Sequence, residues 1–288
     1  MKSFVPGRPY WWQWPTILSL DAPAVALAWQ WMLARIAGNP LVWYHYQLLG
    51  AAAWLVYAAD RWIEGWWIAP SEMQTQRHLF YQRYRWPTFG VWLAVALFSF
   101  GNAVVQLNDR EFRTGIILVL PVLVYLFSHQ LIHRHHPWRA PKEICVALLF
   151  AAGVACFTLA RMPAAANRLA VPLALFGLLC FANCALISIW ENEVDLRHGQ
   201  TSLALQYPGG RKFVQALPWM IALLAAGFAG REAGAVRTAA LCAVGSGLGL
   251  GAVDFLHRRC GRLLARVLAD FALLTPVVPW LLQVGFRL

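Results

Sequence analysis

Long apolar runs alternate with short polar segments along the whole chain. Nine such runs fall at about 18–37, 40–59, 87–106, 114–132, 144–162, 169–189, 213–229, 235–256 and 264–286. A helix of about 17–25 mostly apolar residues crosses a bilayer's hydrocarbon core. The pattern therefore predicts an all-α polytopic bundle of about nine transmembrane helices. No fixed-period repeat, low-complexity stretch or dividing linker interrupts it, so residues 1–288 read as a single integral-membrane domain. Residues 1–17 stand apart as an interfacial segment. Lys2 and Arg8 precede Tyr10, Trp11, Trp12 and Trp14, with no apolar core or small-residue cleavage site of a signal peptide.

Composition agrees with a membrane setting. The chain is 60% hydrophobic and 13% charged, with a mean hydropathy of +0.52. Soluble domains are about 45–50% apolar and about 25% charged. The net charge of +11 is spread over the loops, which fits anionic lipid headgroups and topology control rather than nucleic acid. With the N-terminus on one side, sixteen Lys and Arg fall on that side and eight on the other. The positive-inside rule then puts the N-terminus in the cytoplasm and the C-terminus outside, as in a multi-pass protein of a bacterial inner membrane. The six cysteines form no CxxC pair and read as small, reduced, apolar residues.

Against this background two acidic clusters are conspicuous. They are Asp60-Arg61-Trp62-Ile63-Glu64 and Glu191-Asn192-Glu193-Val194-Asp195, and they hold five of the thirteen acidic residues. Each follows an apolar run, and the span count places both on the cytoplasmic side, in loops at about 60–86 and 190–212. Residues four apart share a helix face, so Asp60 pairs with Glu64 and Glu191 with Asp195. Facing pairs of this kind supply oxygen ligands for Mg²⁺, which takes one or two carboxylates and completes its shell with substrate phosphate and water. The bland alternative stays open: acids at helix ends also pair with a neighbouring Arg at headgroup level.

These residues resemble the UbiA-type intramembrane prenyltransferase superfamily, and the resemblance covers most of the chain. Leu20-Asp21-Ala22-Pro23 is similar to the Leu-Asp-x-Pro of the family's first helix. Asp60-x-x-x-Glu64 corresponds to the second half of its Asn-Asp-x-x-Asp-x-x-x-Asp motif, and Thr75-Gln76-Arg77-His78 to the stretch that follows. Glu191-x-x-x-Asp195-x-x-x-Gly199-x-x-Ser202-Leu203-Ala204 resembles the second motif. Asp270-Phe271-Ala272-Leu273-Leu274-Thr275-Pro276 looks like a late-helix signature. The chain departs from the pattern at Val56-Tyr57, where the family has Asn-Asp, and at Glu64 and Glu191, where Asp is usual.

The resemblance implies a UbiA-prenyltransferase-like fold. It implies Mg-dependent transfer of a prenyl group from a prenyl diphosphate to a lipid-soluble acceptor of aromatic or quinone type. Asp60, Glu64, Glu191 and Asp195 would be the catalytic metal-holding set, with Glu193 as a further metal ligand. Arg77, Lys142, Arg197 and Lys212 would contact the diphosphate, Arg as a bidentate fork and Lys as a point charge. A non-catalytic member of the same fold, binding lipid or partner proteins, is the alternative that the Val56-Tyr57 departure favours. A transporter is the third reading; it would call for charges within several spans and a repeat between halves.

Other polar residues carry local expectations. Asp254 with Arg258, and Asp270 with Arg266, have the spacing of helix-face pairs. Asp21 has no local partner and would line a cavity or cap the first helix. His133, His135 and His136 sit in a basic loop. Trp54, Trp62, Trp66 and Trp67 surround the first cluster, either as a lipid-interface belt or as an aromatic wall for a prenyl cation.

Overall fold

The computed structural model describes residues 9–67, 75–128, 141–197 and 202–285. Among them the regular structure is helical throughout. In chain order the helices are α1 (Trp14–Ile17), α2 (Asp21–Ala37), α3 (Trp43–Trp67), α4 (Gln76–Arg83), α5 (Arg85–Gln106), α6 (Asp109–Phe127) and α7 (Lys142–Arg161). There follow α8 (Ala166–Trp190), α9 (Asn192–Arg197), α10 (Leu203–Gln206), α11 (Arg211–Ala229), α12 (Gly234–Cys260), α13 (Arg262–Ala272) and α14 (Val277–Gly285). The His133–His136 loop lies outside the described residues.

Described helices lie at each of the nine apolar runs. By length and hydropathy five of them suffice to cross a membrane, or seven if each of two bent pairs counts as one span. The helices that fall short, α3 and α6, carry polar groups. In α3 these include His45, Gln47, Asp60, Arg61 and Glu64; in α6, Asp109, Arg110, Glu111 and Arg113 crowd the first turn. The outward surface is apolar, with Leu97, Phe98, Val105, Leu223 and Phe255 all well exposed. A protein in water rarely presents so large an apolar exterior; a protein in lipid must.

Local chemistry sets the helix ends. Asn108 opens α6 with a reciprocal capping box: its Oδ1 accepts from the Glu111 amide at 3.0 Å, and its own amide donates to Glu111 Oε2 at 3.0 Å. Glu111 is then buried, held by His45 Nε2 at 3.1 Å and Arg161 Nη1 at 3.2 Å. That network ties α3, α6 and α7 together at one end of the bundle. Gly38 closes α2 in the left-handed conformation, at φ 73°.

Two breaks interrupt the spans. The Trp11–Ile17 segment and α2 meet at 76°, and α13 and α14 meet at 49°. At the first break Ser19 takes φ 59°, uncommon for a residue with a Cβ. Its hydroxyl is held at 3.0 Å from Tyr81 Oη and accepts from Arg61 Nη1 at 2.9 Å. At the second break the Leu273 carbonyl leaves the helical ladder and accepts from Trp29 Nε1 at 2.8 Å. Trp29 in turn stacks on Phe176, with ring centroids 4.7 Å apart, in the middle of the core.

The tightest helix contact is α11 against α12. A Cβ on Gly251 would lie 2.5 Å from Trp219 Cε2, and one on Gly247 would lie 2.7 Å from the Pro218 carbonyl oxygen. Small residues one turn apart permit this approach, as is usual between membrane helices. Gly251→Ala is expected to destabilise the protein by about 1–3 kcal/mol through overpacking. Gly227→Ala, where a Cβ meets open space, is the matched control. Unfolding of both variants in mild detergent reads the difference.

Candidate active site

Seven of the thirteen acidic residues line one cavity of about 200 Å³. Asp21 comes from α2, Asp60 and Glu64 from α3, Glu143 from α7, Glu191 and Asp195 from the α8–α9 junction, and Asp270 from α13. Four cations share it: Arg61, Arg77, Lys142 and Arg266. The two acidic clusters, 131 positions apart between Asp60 and Glu191, thus meet on one cavity. Its remaining wall includes Tyr57, Tyr125, Phe150 and Ile187. A polar lining and an apolar wall in one concave space is the usual form of a small-molecule site.

Glu191 is the most tightly held acid. Its Oε2 accepts from Arg77 Nη2 at 3.3 Å and from Arg266 Nη1. Burial by itself would raise this carboxyl, but Arg266 and Arg77 outweigh it and hold Glu191 well below the usual carboxylate range. Burial and the Arg266 charge push Arg77 down to about 10, so it stays protonated at neutral pH. Asp195 behaves in the opposite way. Burial lifts it above its ordinary value, against the pull of Lys142 and with the push of Glu191. One pair on one helix face therefore holds two differently poised carboxyls.

The first cluster has its own support. Glu64 Oε2 sits 2.8 Å from His78 Nε2, and His78 Nδ1 sits 2.7 Å from Thr75 Oγ1. The Thr75-Gln76-Arg77-His78 stretch thus contributes on two sides, with His78 on Glu64 and Arg77 on Glu191. Arg61 turns away from Asp60 to the Thr16 carbonyl and the Ser19 hydroxyl, with its guanidinium 6.0 Å from the Tyr57 ring centre. Lys142, at the start of α7, faces the charges of Asp195, Glu64 and Asp60.

Most of the predicted site residues come together: Asp60, Glu64, Arg77, Lys142, Glu191 and Asp195 all line the cavity. Glu193 and Lys212 do not; both side chains are exposed and lie outside the lining. Glu193 is two residues from Glu191 on a helical turn, so it points elsewhere. The side chain of Arg197 is outside the described residues. Sequence reasoning missed Arg266 and His78 as site residues, along with Glu143.

The expected local pairs also rearrange. Arg266 reaches Glu191 across the bundle, while Asp270 accepts from Asn183 Nδ2 at 2.9 Å. Asp254 accepts from Trp190 Nε1 at 2.9 Å and Gln215 Nε2 at 3.1 Å, with His257 also near. Its described partners do not include Arg258. Trp54, Trp62 and Trp66 do not line the cavity, and the side chain of Trp67 is outside the described residues. Trp62 stacks on Phe89 of α5 and donates to the Arg85 carbonyl, and Arg85 lies over Trp66. Tyr57, Tyr125 and Phe150 form the aromatic wall instead.

Among the described residues, no three His, Cys, Asp or Glu side chains converge as a metal cage. Yet carboxyls outnumber cations in the cavity by seven to four. All are hard oxygen donors, and four of them stand as two pairs, Asp60 with Glu64 on α3 and Glu191 with Asp195 at the α8–α9 junction. That is the partial ligand set Mg²⁺ takes when substrate phosphate and water complete its shell. The residues that would hold such an ion are Asp60, Glu64, Glu191 and Asp195.

The Glu191 triad has a testable energetic signature. Arg266→Met leaves a buried carboxylate with one partner and is expected to cost about 3 kcal/mol, the lower range for breaking a buried pair. Adding Glu191→Leu removes that carboxylate but leaves Arg77 without it, so the double variant should lose less than the sum of the two single losses. A double-mutant cycle in detergent unfolding measures the coupling; simple additivity would contradict it.

By sequence, no family model and no curated protein matches the chain. By structure, the chain is similar to the apo structure of a UbiA homolog from Aeropyrum pernix K1. The TM-score is 0.60, at 15% identity, over 92% of this chain and 98% of that one. The protein has the fold of a UbiA homolog.

Proposed function

We propose that the chain is a membrane prenyltransferase. It moves a prenyl group from a prenyl diphosphate to a lipid-soluble acceptor of aromatic or quinone type, with Mg²⁺. The observation that carries this reading is the convergence of both acidic clusters and four cations on one cavity with an aromatic wall. A diphosphate needs cations and a prenyl chain needs apolar surface, and here one space offers both.

The roles follow from the side chains. Arg77 and Arg266 each keep a buried Nε–H with no acceptor among the described residues. A diphosphate oxygen is the kind of acceptor those donors lack, and Lys142 adds a point charge. Bound Mg²⁺ would supply charge neutralisation to the departing diphosphate. The allylic C–O bond breaks, its electron pair leaves with the diphosphate, and the acceptor's nucleophilic atom forms the new bond to carbon and loses a proton. Tyr57, Tyr125 and Phe150 exclude water and offer π-faces to the developing positive charge. Glu191 fixes the two guanidiniums, and His78 fixes Glu64, before substrate arrives.

A second reading has its own support. Val56 and Tyr57 stand where the related motif supplies two oxygen ligands, and Glu64 and Glu191 are already engaged by cationic or imidazole partners. A non-catalytic protein of this fold, binding lipid or partner proteins, would show the same features.

Purified protein with radiolabelled prenyl diphosphates and Mg²⁺ separates the two. Mg-dependent diphosphate release is expected, and Asp60→Ala or Asp195→Ala should reduce it by about 10²–10³-fold, the scale of one preorganised electrostatic group. Diphosphate binding that Asp195→Ala abolishes, with no turnover on any acceptor, favours the non-catalytic reading. No binding by the native chain rejects the enzyme. Arg77→Met and Arg266→Met are expected to weaken diphosphate binding by about tenfold or more each, measured by equilibrium dialysis.

A further inference from the structure

A second cavity, of about 390 Å³, lies across α8 from the first. Phe181, Ala185, Ser188 and Asn192 line it, with the spacing of one helix face. Cys184, Ile187 and Glu191 line the first cavity instead, and Ser188 borders both. Helix α8 is thus a partition between two spaces. The facing wall is α11, through Phe213 and Val214. Tyr207 and Arg211, both exposed, stand where the cavity meets the surface.

The two cavities are opposite in charge. Seven carboxyls line the first; among the described residues none lines the second, where Arg211 is the charged group. Arg211 opens α11, and no side chain caps that helix start. The free amides of the first turn therefore add positive potential beside the guanidinium. Away from this end the lining is apolar. From Ile189 to Phe181 it follows α8 for about 12 Å at the usual helical rise. One leaflet's share of the hydrocarbon core is about 15 Å. A cationic end above an apolar slot of nearly that depth complements an anionic head on an acyl chain.

Asn192 adds a preference among headgroups. Its side chain lines the cavity, and its Oδ1 is buried without a hydrogen-bond partner among the described residues. Ser188 donates its own proton to the Ala185 carbonyl at 2.8 Å, so it offers the cavity an acceptor. A headgroup hydroxyl supplies the donor these groups lack, which an alkyl or choline headgroup cannot. An ammonium headgroup also has donors, but it sets a cation beside Arg211.

We propose that the second cavity binds one anionic phospholipid with a hydroxylated headgroup, of the phosphatidylglycerol type. Its phosphate sits on Arg211 and the start of α11, a headgroup hydroxyl donates to Asn192, and an acyl chain lies along Phe181, Ile189 and Phe213. The lipid braces the α8 partition from the side opposite Glu191. The inference rests on the membrane setting and not on prenyl transfer.

The full chain is delipidated in a neutral detergent, and bound lipid is counted by native mass spectrometry over a titration. The probes are phosphatidylglycerol, phosphatidylethanol, phosphatidylethanolamine and phosphatidylcholine with the same acyl chains. The first two share one negative charge and differ in the headgroup hydroxyls. Phosphatidylglycerol is expected to saturate at one per chain and to bind about tenfold tighter than phosphatidylethanol, the size of one hydrogen bond. Both zwitterionic lipids should bind more weakly than either. Asn192→Leu should bring the ratio of the two anionic lipids close to one. Arg211→Gln should weaken both by about tenfold or more, the size of a hydrogen bond to a charged group. Arg259→Gln removes an exposed charge at the same end of the bundle that lines neither cavity, and it should leave both unchanged. Should the Asn192 variant fail to fold, the native ratio decides. Equal binding of the two anionic lipids by the native chain, or phosphatidylethanolamine binding as tightly as phosphatidylglycerol, overturns the headgroup assignment. Equal losses in Arg211→Gln and Arg259→Gln, no saturable lipid, or glycerol 1-phosphate binding as tightly as the lipid overturns the site.

Discussion

Glu191 lies between Arg77 and Arg266, and much of the site's geometry depends on that contact. The three residues come from α4, from the junction of α8 and α9, and from α13. In the low dielectric of a helix bundle an unpaired charge is prohibitive, while a paired one draws its partners to a set place. The triad therefore acts as a buried clasp between the first polar segment and the last helices. It fixes Arg77 in the cavity that Lys142 also lines and leaves the Nε–H of each guanidinium with no acceptor among the described residues. The same contact that steadies the fold leaves these two donors for the diphosphate proposed above.

The bends on either side of the cavity serve the same end. Asp21 heads α2 just after the Ser19 break, and Asp270 precedes the turn at Leu273. Straight spans would carry both side chains along a regular helix face within the bundle. Instead, Arg61 and Tyr81 hold the first break through Ser19, and Trp29 holds the second through the Leu273 carbonyl. Few atoms are involved, but each is a backbone or hydroxyl group that would otherwise be buried without a partner.

The bundle was legible because lipid imposes one rule on every span: an apolar run of a given length. The acidic clusters were legible because acid is scarce in this chain and the span count places the two clusters on one side. The partners were less so. Spacing of four suggested Arg266 with Asp270 and Arg258 with Asp254, yet Arg266 takes Glu191, while Asn183 donates to Asp270 and Trp190 and Gln215 to Asp254. In a bundle each helix face meets other helices, and a neighbour across a packed interface competes with the neighbour one turn away. His78 carried a signal in its place beside Arg77, but its orientation toward Glu64 depends on the Thr75 contact. The tryptophans left two readings open for a related reason: near the end of a membrane helix an aromatic ring serves the interface and the cavity equally well in sequence, and for Trp62 packing against Phe89 and Arg85 decides.

The Val56-Tyr57 departure takes on a different meaning once the cavity is assembled. Counted along α3 alone, the first cluster lacks two oxygen donors. Counted in space, Asp21, Glu143 and Asp270 line the same cavity as Asp60, Glu64, Glu191 and Asp195. The potential at a point in a cavity is the sum over all charges that face it, weighted by distance and shielding rather than by chain order. Replacing Asn-Asp by Val-Tyr therefore redistributes the polar lining rather than emptying it. One consequence is that Tyr57 gains a face beside Phe150, with ring centres 6.4 Å apart, apolar surface of the kind the proposed prenyl substrate requires. The chain thus exchanges two polar positions on α3 for an aromatic surface, while other helices keep the cavity rich in carboxyl groups.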